Sequence, residues 1–220
     1  MKDIKTYVLE TKKISSIGDY INESFKLGKN KVSKTTDYEY FPKDKSELKE
    51  ILKERLAKDK DADLNDIDVS NITDMSNIFK WLDPHNIDIS EWDVSSVKDM
   101  FSMFYTCKNF NCDLSNWDVS NVENMHGIFY ECKSFEGKGL ENWDVSEVTG
   151  MGNMFSLCKI FNCDLSKWNV SNVTTMYQMF YGCESFEGKG LENWNVSKAR
   201  NIHNMFYGCD SLKNKPSWYK

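Results

Sequence analysis

What this sequence lacks excludes several classes of protein at once. Its longest apolar runs fall well short of the roughly 20 residues that a membrane-spanning helix needs. Residues 1–9 contain neither the apolar core of a secretion signal nor a cysteine that could carry a lipid. We therefore expect no membrane span and a cytoplasmic location, with the cell surface as the alternative.

Histidine is scarce as well, since His85, His126 and His203 are the only three. Nucleophilic catalysis commonly places a histidine beside the serine or cysteine that it activates. None of the three recurs along the sequence together with a candidate nucleophile. The sequence therefore predicts a protein that is not an enzyme, with no catalytic residues and no bound cofactor.

Metal-binding motifs are missing too. The pairs Cys107–Cys112 and Cys158–Cys163 do not have the spacing of a zinc site. The segment Asp59–Asp63 begins like a calcium-binding loop, but Leu64 and Ser70 replace the glycine and glutamate that such a loop requires. We interpret the cysteines as core residues and expect no metal site.

Basic residues are few over most of the chain. Residues 1–62 carry 15 Lys and Arg against 12 Asp and Glu, whereas residues 63–220 carry 13 against 22, a net charge of −9. A surface this acidic repels the phosphate backbone of nucleic acids. Protein is therefore the expected partner, and nucleic acid is not.

What the sequence has in abundance is an internal repeat. Its six Val-Ser pairs are spaced 25, 25, 26, 25 and 26 residues apart. A tryptophan and a cysteine recur with the same period, and a fixed period of this length is typical of a stacked array. The pairs begin at Val69, Val94, Val119, Val145, Val170 and Val196, the tryptophans are Trp92, Trp117, Trp143, Trp168 and Trp194, and the cysteines are Cys107, Cys132, Cys158, Cys183 and Cys209.

The repeats also suggest the domain organisation. Residues 1–40 are an N-terminal segment, with a short helix predicted over 16–25 and a linker over 26–36. Residues 41–62 contain a brief strand and an amphipathic helix with apolar residues at Leu48, Leu52 and Leu56, which we expect to cover the first repeat. The six repeats occupy residues 63–213, and residues 214–220 form a tail.

Two patterns within a repeat predict its fold. Phe110, Cys112 and Leu114 alternate with polar residues, which favours a short strand. From Ser120, a candidate N-cap, the apolar residues are three apart, which favours a short helix or a tight 3₁₀-like turn. The sequence therefore predicts a right-handed α/β solenoid, gently curved, with a parallel sheet on its concave side and short helices on its convex side.

Several recurring positions have structural rather than functional interpretations. Five tryptophans at one position indicate a core, and five cysteines at one position indicate buried, reduced thiols. The position of Asp118 is also occupied by Asn169 and Asn195, so we expect a turn that needs a side-chain acceptor rather than a metal site. The Gly-Lys-Gly segments at 137–139 and 188–190 predict a bulge or a turn.

One variable position is a candidate binding surface. It is occupied by Lys80 in the first repeat and Ser156 in the fourth, which indicates exposure to solvent. Tyrosine occupies it elsewhere and suits interfaces, because its ring offers contact area and its hydroxyl a polar tip. We therefore predict a protein-binding stripe formed by Tyr105, Tyr130, Tyr181 and Tyr207.

The repeat as a whole, W-[DN]-V-S-x-V-x-x-M-x-x-M-F-x-x-C-x-x-F, resembles the BspA-like leucine-rich-repeat family found in mycoplasma surface lipoproteins. The resemblance covers about residues 63–213. It implies a leucine-rich-repeat-like solenoid with adhesion or protein binding as its function. Residues 1–9 show neither the signal sequence nor the lipidation cysteine of the surface members, so surface display is not the first expectation.

Together these patterns predict a non-enzymatic repeat scaffold that binds another macromolecule, with protein as the expected partner. The first alternative is an exported surface adhesin of the BspA-like type. The second is a small enzyme whose site lies in residues 1–40, for which no motif is present.

Overall fold

The computed structural model describes residues 38–220. The helix predicted over 16–25 and the linker predicted over 26–36 lie outside these residues. Within them the regular elements are one α-helix, α1 (Lys45–Lys58), and two short 3₁₀ helices, Leu140–Asn142 and Leu191–Asn193. Successive repeats of this part of the chain are connected by isolated parallel β-bridges, and none of these bridges extends into a strand.

Helix α1 forms where the sequence predicts a helix. Its first turn is capped by the carboxylate of Asp44, which accepts hydrogen bonds from the backbone N–H groups of Ser46 at 2.8 Å and Glu47 at 3.0 Å. Leu48, Leu52 and Leu56 follow one another at intervals of four residues and are buried. The helix therefore presents a single apolar stripe to the core.

Polar contacts fix α1 on the first repeat. The Arg55 guanidinium lies 2.6 Å from the Asp66 carboxylate and donates a hydrogen bond of 2.7 Å to the carbonyl of Asp63. At the other end of the helix, the Lys45 ammonium lies 2.9 Å from the carboxylate of Asp74. Helix α1 thus covers the first repeat.

Successive repeats are joined by a ladder of backbone hydrogen bonds. In the second repeat the N–H groups of Met100, Ser102, Phe104 and Thr106 donate to carbonyls of the third repeat at 2.9, 2.9, 2.9 and 2.7 Å. The N–H groups between them close three-residue turns, such as Met103 to Met100. We call the eight-residue stretches that carry this pattern the ladder segments. They are residues 74–81, 99–106, 124–131, 150–157, 175–182 and 201–208.

The predicted α/β leucine-rich-repeat solenoid is wrong, because residues 63–220 contain neither a strand longer than a bridge nor an α-helix. The three-residue spacing of apolar side chains comes from the turns of the ladder segments. Ser102 and Thr106, with φ of 52° and 64°, interrupt any helix because a right-handed helix needs negative φ. The predicted concave sheet and convex helices are absent from this part of the chain for the same reason.

The interior is one continuous core built from the recurring apolar positions. The tryptophans are only 3–5 % exposed, which confirms their prediction as core residues. Each indole Nε1 donates to a carbonyl 28 or 29 residues earlier, as Trp143 does to Leu114 at 3.3 Å. Phenylalanine rings stack beside them, with 5.6 Å between the centroids of Phe104 and Phe129. Neighbouring repeats are thus held together by both apolar packing and hydrogen bonds.

The cysteines belong to this core. All seven lie within the described residues and are buried free thiols, as predicted. In the recurring position each Sγ donates to a carbonyl of the preceding repeat, for example Cys158 to Phe129 at 2.9 Å. Burial raises the pKa of these thiols, to about 11 for Cys209 and well above the ordinary value for Cys132. They are therefore protonated packing groups rather than reactive thiolates.

The acidic position before each Val-Ser pair forms a turn. The carboxylate of Asp118 accepts a hydrogen bond from the backbone N–H of Ser120 at 3.1 Å, and Asn195 does the same for Ser197 at 3.2 Å. This confirms the predicted turn acceptor. The expectation that Ser120 caps a helix is wrong, because its hydroxyl instead donates to Asp118 at 2.7 Å and no helix follows.

The Gly-Lys-Gly segments form the predicted turns. Gly137 and Gly139 have φ of 91° and 93° and lead into the first 3₁₀ helix. A Cβ atom on Gly139 would lie 2.3 Å from the backbone nitrogen of Ser115. The glycine is therefore required by both its conformation and the close approach of the neighbouring repeat.

Candidate functional site

The tyrosine stripe predicted from the sequence is divided into two pairs. The rings of Tyr105 and Tyr130 stack at 4.5 Å with an interplanar angle of 5°. Those of Tyr181 and Tyr207 stack at 5.2 Å with an angle of 12°. Ser156 lies between the pairs and is buried, contrary to the exposure expected from the variability of this position. Three of the tyrosines are half-buried, whereas Tyr207 is 65 % exposed.

A residue that sequence reasoning did not select completes the first pair. Trp81 is 73 % exposed, and its ring meets that of Tyr105 edge-on, with 6.2 Å between the centroids. The Lys80 ammonium lies 4.7 Å from the Tyr105 ring centroid and 5.4 Å from that of Trp81. We call Trp81, Tyr105 and Tyr130 the aromatic face. Trp81 could have been selected from the sequence, because it lies in an atypical segment of the first repeat, at which the other repeats have a cysteine.

An open depression of about 500 Å³ lies against the aromatic face. Asp83, Lys108 and Glu131 line it together with the three rings. Glu131 also lies 3.2 Å from the Lys133 ammonium. The site thus combines aromatic area with charges of both signs, the composition of a protein interface. Burial is the main reason that the pKa of the Tyr130 hydroxyl is raised, so this hydroxyl is protonated at neutral pH.

A second aromatic row crosses the repeats at the position after the recurring methionine. Phe101 and His126 stack at 5.4 Å, and the Tyr177 hydroxyl lies 3.0 Å from Nε2 of His126, 51 residues away. Gly152 makes this contact possible, because a Cβ atom there would lie 2.7 Å from the Tyr177 ring. Burial lowers the pKa of His126, so the imidazole is neutral at physiological pH.

Neither a metal site nor a membrane-spanning helix is present in the part of the chain that the structure describes. Residues 38–220 contain no group of three or more histidines, cysteines, aspartates or glutamates that could hold a metal ion. In the same residues no helix is long and apolar enough to cross a membrane. The described chain therefore offers the aromatic face as its best-defined candidate site.

One family model matches the chain, over residues 46–139 and again over 127–219. Its description is "Mycoplasma protein of unknown function, DUF285". The chain belongs to this family. Together the two tandem matches of the DUF285 family model cover residues 46–219, which include nearly all of α1 and all six repeats.

Membership in DUF285 supports the expectation that this is a repeat protein of a mycoplasma family. It does not extend to the leucine-rich-repeat fold, which the coil structure of the repeats contradicts. A comparison with curated proteins and one with solved structures each found no match.

Proposed function

We propose that this DUF285 protein is a non-enzymatic repeat scaffold that binds another protein through its aromatic face. The observation that carries the proposal is the exposure of Trp81, at 73 %, beside the stacked pair Tyr105 and Tyr130. Large apolar side chains are normally buried, and an exposed tryptophan among tyrosines has the composition of an interaction hot spot.

The geometry of the aromatic face supports a preformed site. The Trp81 ring contacts Tyr105 edge-on, and the Lys80 ammonium lies within 5.4 Å of its centroid. Rings held in this way lose little conformational entropy when a partner covers them. The tyrosine hydroxyls and the charges of Asp83 and Glu131 can form the polar rim that protein interfaces use.

The charge distribution supports protein rather than nucleic acid as the partner. Residues 63–195, which contain the aromatic face, carry 8 Lys and Arg against 21 Asp and Glu. A polyanion would be repelled by this net charge of −13. A folded protein can match it with local basic groups around an apolar centre.

The proposal is tested by capturing partners from a lysate of the source organism with the full chain as bait. The variant Trp81→Ala/Tyr130→Ala should lose a partner that the wild type retains, and the Kd measured with that purified partner should rise at least about tenfold, as expected for hot-spot residues.

Phe41→Ala is the matched control, because Phe41 is an exposed aromatic residue, 63 % accessible, outside the aromatic face. It should leave binding unchanged. A partner that binds the Trp81→Ala/Tyr130→Ala variant as tightly as the wild type would refute the role of the aromatic face. The other two functions considered, an adhesin and an enzyme with its site in residues 1–40, have no comparable observation in their favour.

A further inference from the structure

The last ladder segment, residues 201–208, differs from the others in its hydrogen bonding. The N–H groups of Met176, Gln178, Phe180 and Gly182 all donate to this segment, at 2.8–3.1 Å. The equivalent donors of the last segment itself donate to no residue of 38–220. These donors, which we call the open row, are Ile202, Asn204, Phe206 and Gly208.

The open row lies at the end of the stack toward which most ladder bonds point. Alternate N–H groups of each of the first five ladder segments donate to the following repeat. Bonds in the opposite direction are fewer and begin at the edge of a segment or outside it, as from Asp99 to Thr73 and from Ser134 to Lys108, so most ladder peptides point in the same direction along the stack. Aligned peptide dipoles place partial positive charge at the end where N–H groups are unpaired, as at the start of a helix. The open row therefore attracts carbonyl oxygens and negative charge.

The residues that follow the last ladder segment leave the open row unpaired. Trp218 continues the tryptophan column, stacking on Trp194 at 6.3 Å and donating to the Leu191 carbonyl at 2.7 Å. Tyr219 packs edge-on against the Phe206 ring, with 4.9 Å between centroids. This segment covers the apolar core at that end, while Tyr207 and Gly208 remain exposed.

Charge changes sign at this end of the stack. Residues 196–220 carry five Lys and Arg against one acidic residue, whereas residues 63–195 carry 8 against 21. All five basic side chains belong to exposed residues. They are Lys198, Arg200, Lys213, Lys215 and Lys220.

We propose that the open row is a second binding site, which takes an acidic peptide segment of another protein. The segment adds to the stack by main-chain hydrogen bonds, with its carbonyls accepting from Ile202, Asn204, Phe206 and Gly208. Main-chain pairing at an open edge supplies affinity, and the basic side chains of residues 196–220 select acidic partners. This site is separate from the aromatic face and does not depend on it.

Two other occupants of the open row, residues 1–37 and a second copy of the chain, fit less well. Residues 1–37 carry 8 Lys against 5 acidic residues, so they share the positive charge of the open row. A second copy stacked head to tail would need the carbonyl edge of the first ladder segment. Lys45 of α1 lies over that segment, 2.9 Å from Asp74 and in hydrogen-bond contact with Ser76.

Amide hydrogen exchange of the full chain, measured by NMR, tests the site directly. Without ligand the open row should exchange at least about a hundredfold faster than Met176, Gln178, Phe180 and Gly182, which carry ladder bonds. The probe is a seven-residue peptide of alternating Glu and Val, and its counterpart of alternating Lys and Val is the control. The acidic peptide should slow exchange of the open row at least about tenfold, and the basic peptide should not.

Charge reversal supplies the matched variants. Arg200→Glu/Lys213→Glu should raise the Kd for the acidic peptide at least about tenfold, whereas Lys58→Glu/Lys167→Glu, the same charge change elsewhere, should not. Unchanged protection of Met176 and Phe180 shows that each variant is folded.

Three results would overturn the proposal. An open row already protected in the free protein would mean that another part of the chain fills it. Protection that grows with protein concentration alone would make a second copy the occupant. Equal protection by the two peptides would remove the selection for acidic partners.

Discussion

At the residue scale, the recurring side chains behave as their repetition predicts. A residue type that returns at one position in successive repeats must suit the same surroundings each time, so five tryptophans and five cysteines indicate a core. Asp118 and Asn169 are interchangeable because a turn needs only a side-chain oxygen. Exposure at the variable position was predictable only in part, because Ser156 is buried whereas Tyr207, at the equivalent position, is 65 % exposed.

The buried thiols make stability depend on pH. Burial raises the pKa of Cys112 to about 11 and of Cys163 to about 12, from an ordinary value of 9.0. The folded state therefore keeps these protons to higher pH than the unfolded chain does. Their contribution to the free energy of unfolding is complete below pH 9 and is lost as the pH rises above it.

We therefore expect Cys158→Ala to flatten the decline of the free energy of unfolding above pH 9, by up to about 1.4 kcal/mol per pH unit. Urea unfolding at a series of pH values measures this slope. Val148→Ala removes buried apolar atoms without a titrating group and should keep the wild-type slope. An unchanged slope in Cys158→Ala would show that this thiol already ionises normally in the folded protein.

At the element scale, α1 could be predicted and the ladder segments could not. Helix α1 has local signals for its start and its buried stripe, Asp44 and Leu48–Leu56. The ladder segments have three-residue apolar steps that a helix and a chain of tight turns share. Residues with positive φ decide between a helix and a chain of tight turns. The sequence does not show that Thr106 and Glu131 have positive φ, because threonine and glutamate rarely adopt this conformation.

The cap of α1 gives the prediction at this scale. Asp44→Ala removes the acceptor for the N–H groups of Ser46 and Glu47 and should lower the free energy of unfolding by about 1 kcal/mol. Asp44→Asn keeps an oxygen acceptor and should cost less than about half of that. Urea unfolding of the two variants measures the difference, and equal losses would mean that charge rather than capping matters.

At the scale of the whole molecule, the repeats form a stack whose two ends differ in their backbone hydrogen bonding. The first ladder segment lies under Lys45 and α1, whereas the last leaves four donors unpaired among the described residues. The sequence predicted stacking of repeats but not this polarity, since the direction of backbone hydrogen bonds has no signature in side chains. The aromatic face and the open row thus lie on a scaffold whose backbone path only the structure provides.

Through-hydrogen-bond NMR coupling tests this backbone path most directly. In deuterated protein, the amide nitrogens of Gly127 and Phe129 should couple to the carbonyl carbons of Gly152 and Met154, as their bonds of 2.9 and 3.0 Å require. The amide of Ile128 between them should couple to Met125, three residues earlier. Couplings from residue i to residue i−4 throughout 121–132 would mean that this segment is an α-helix, and would contradict the account.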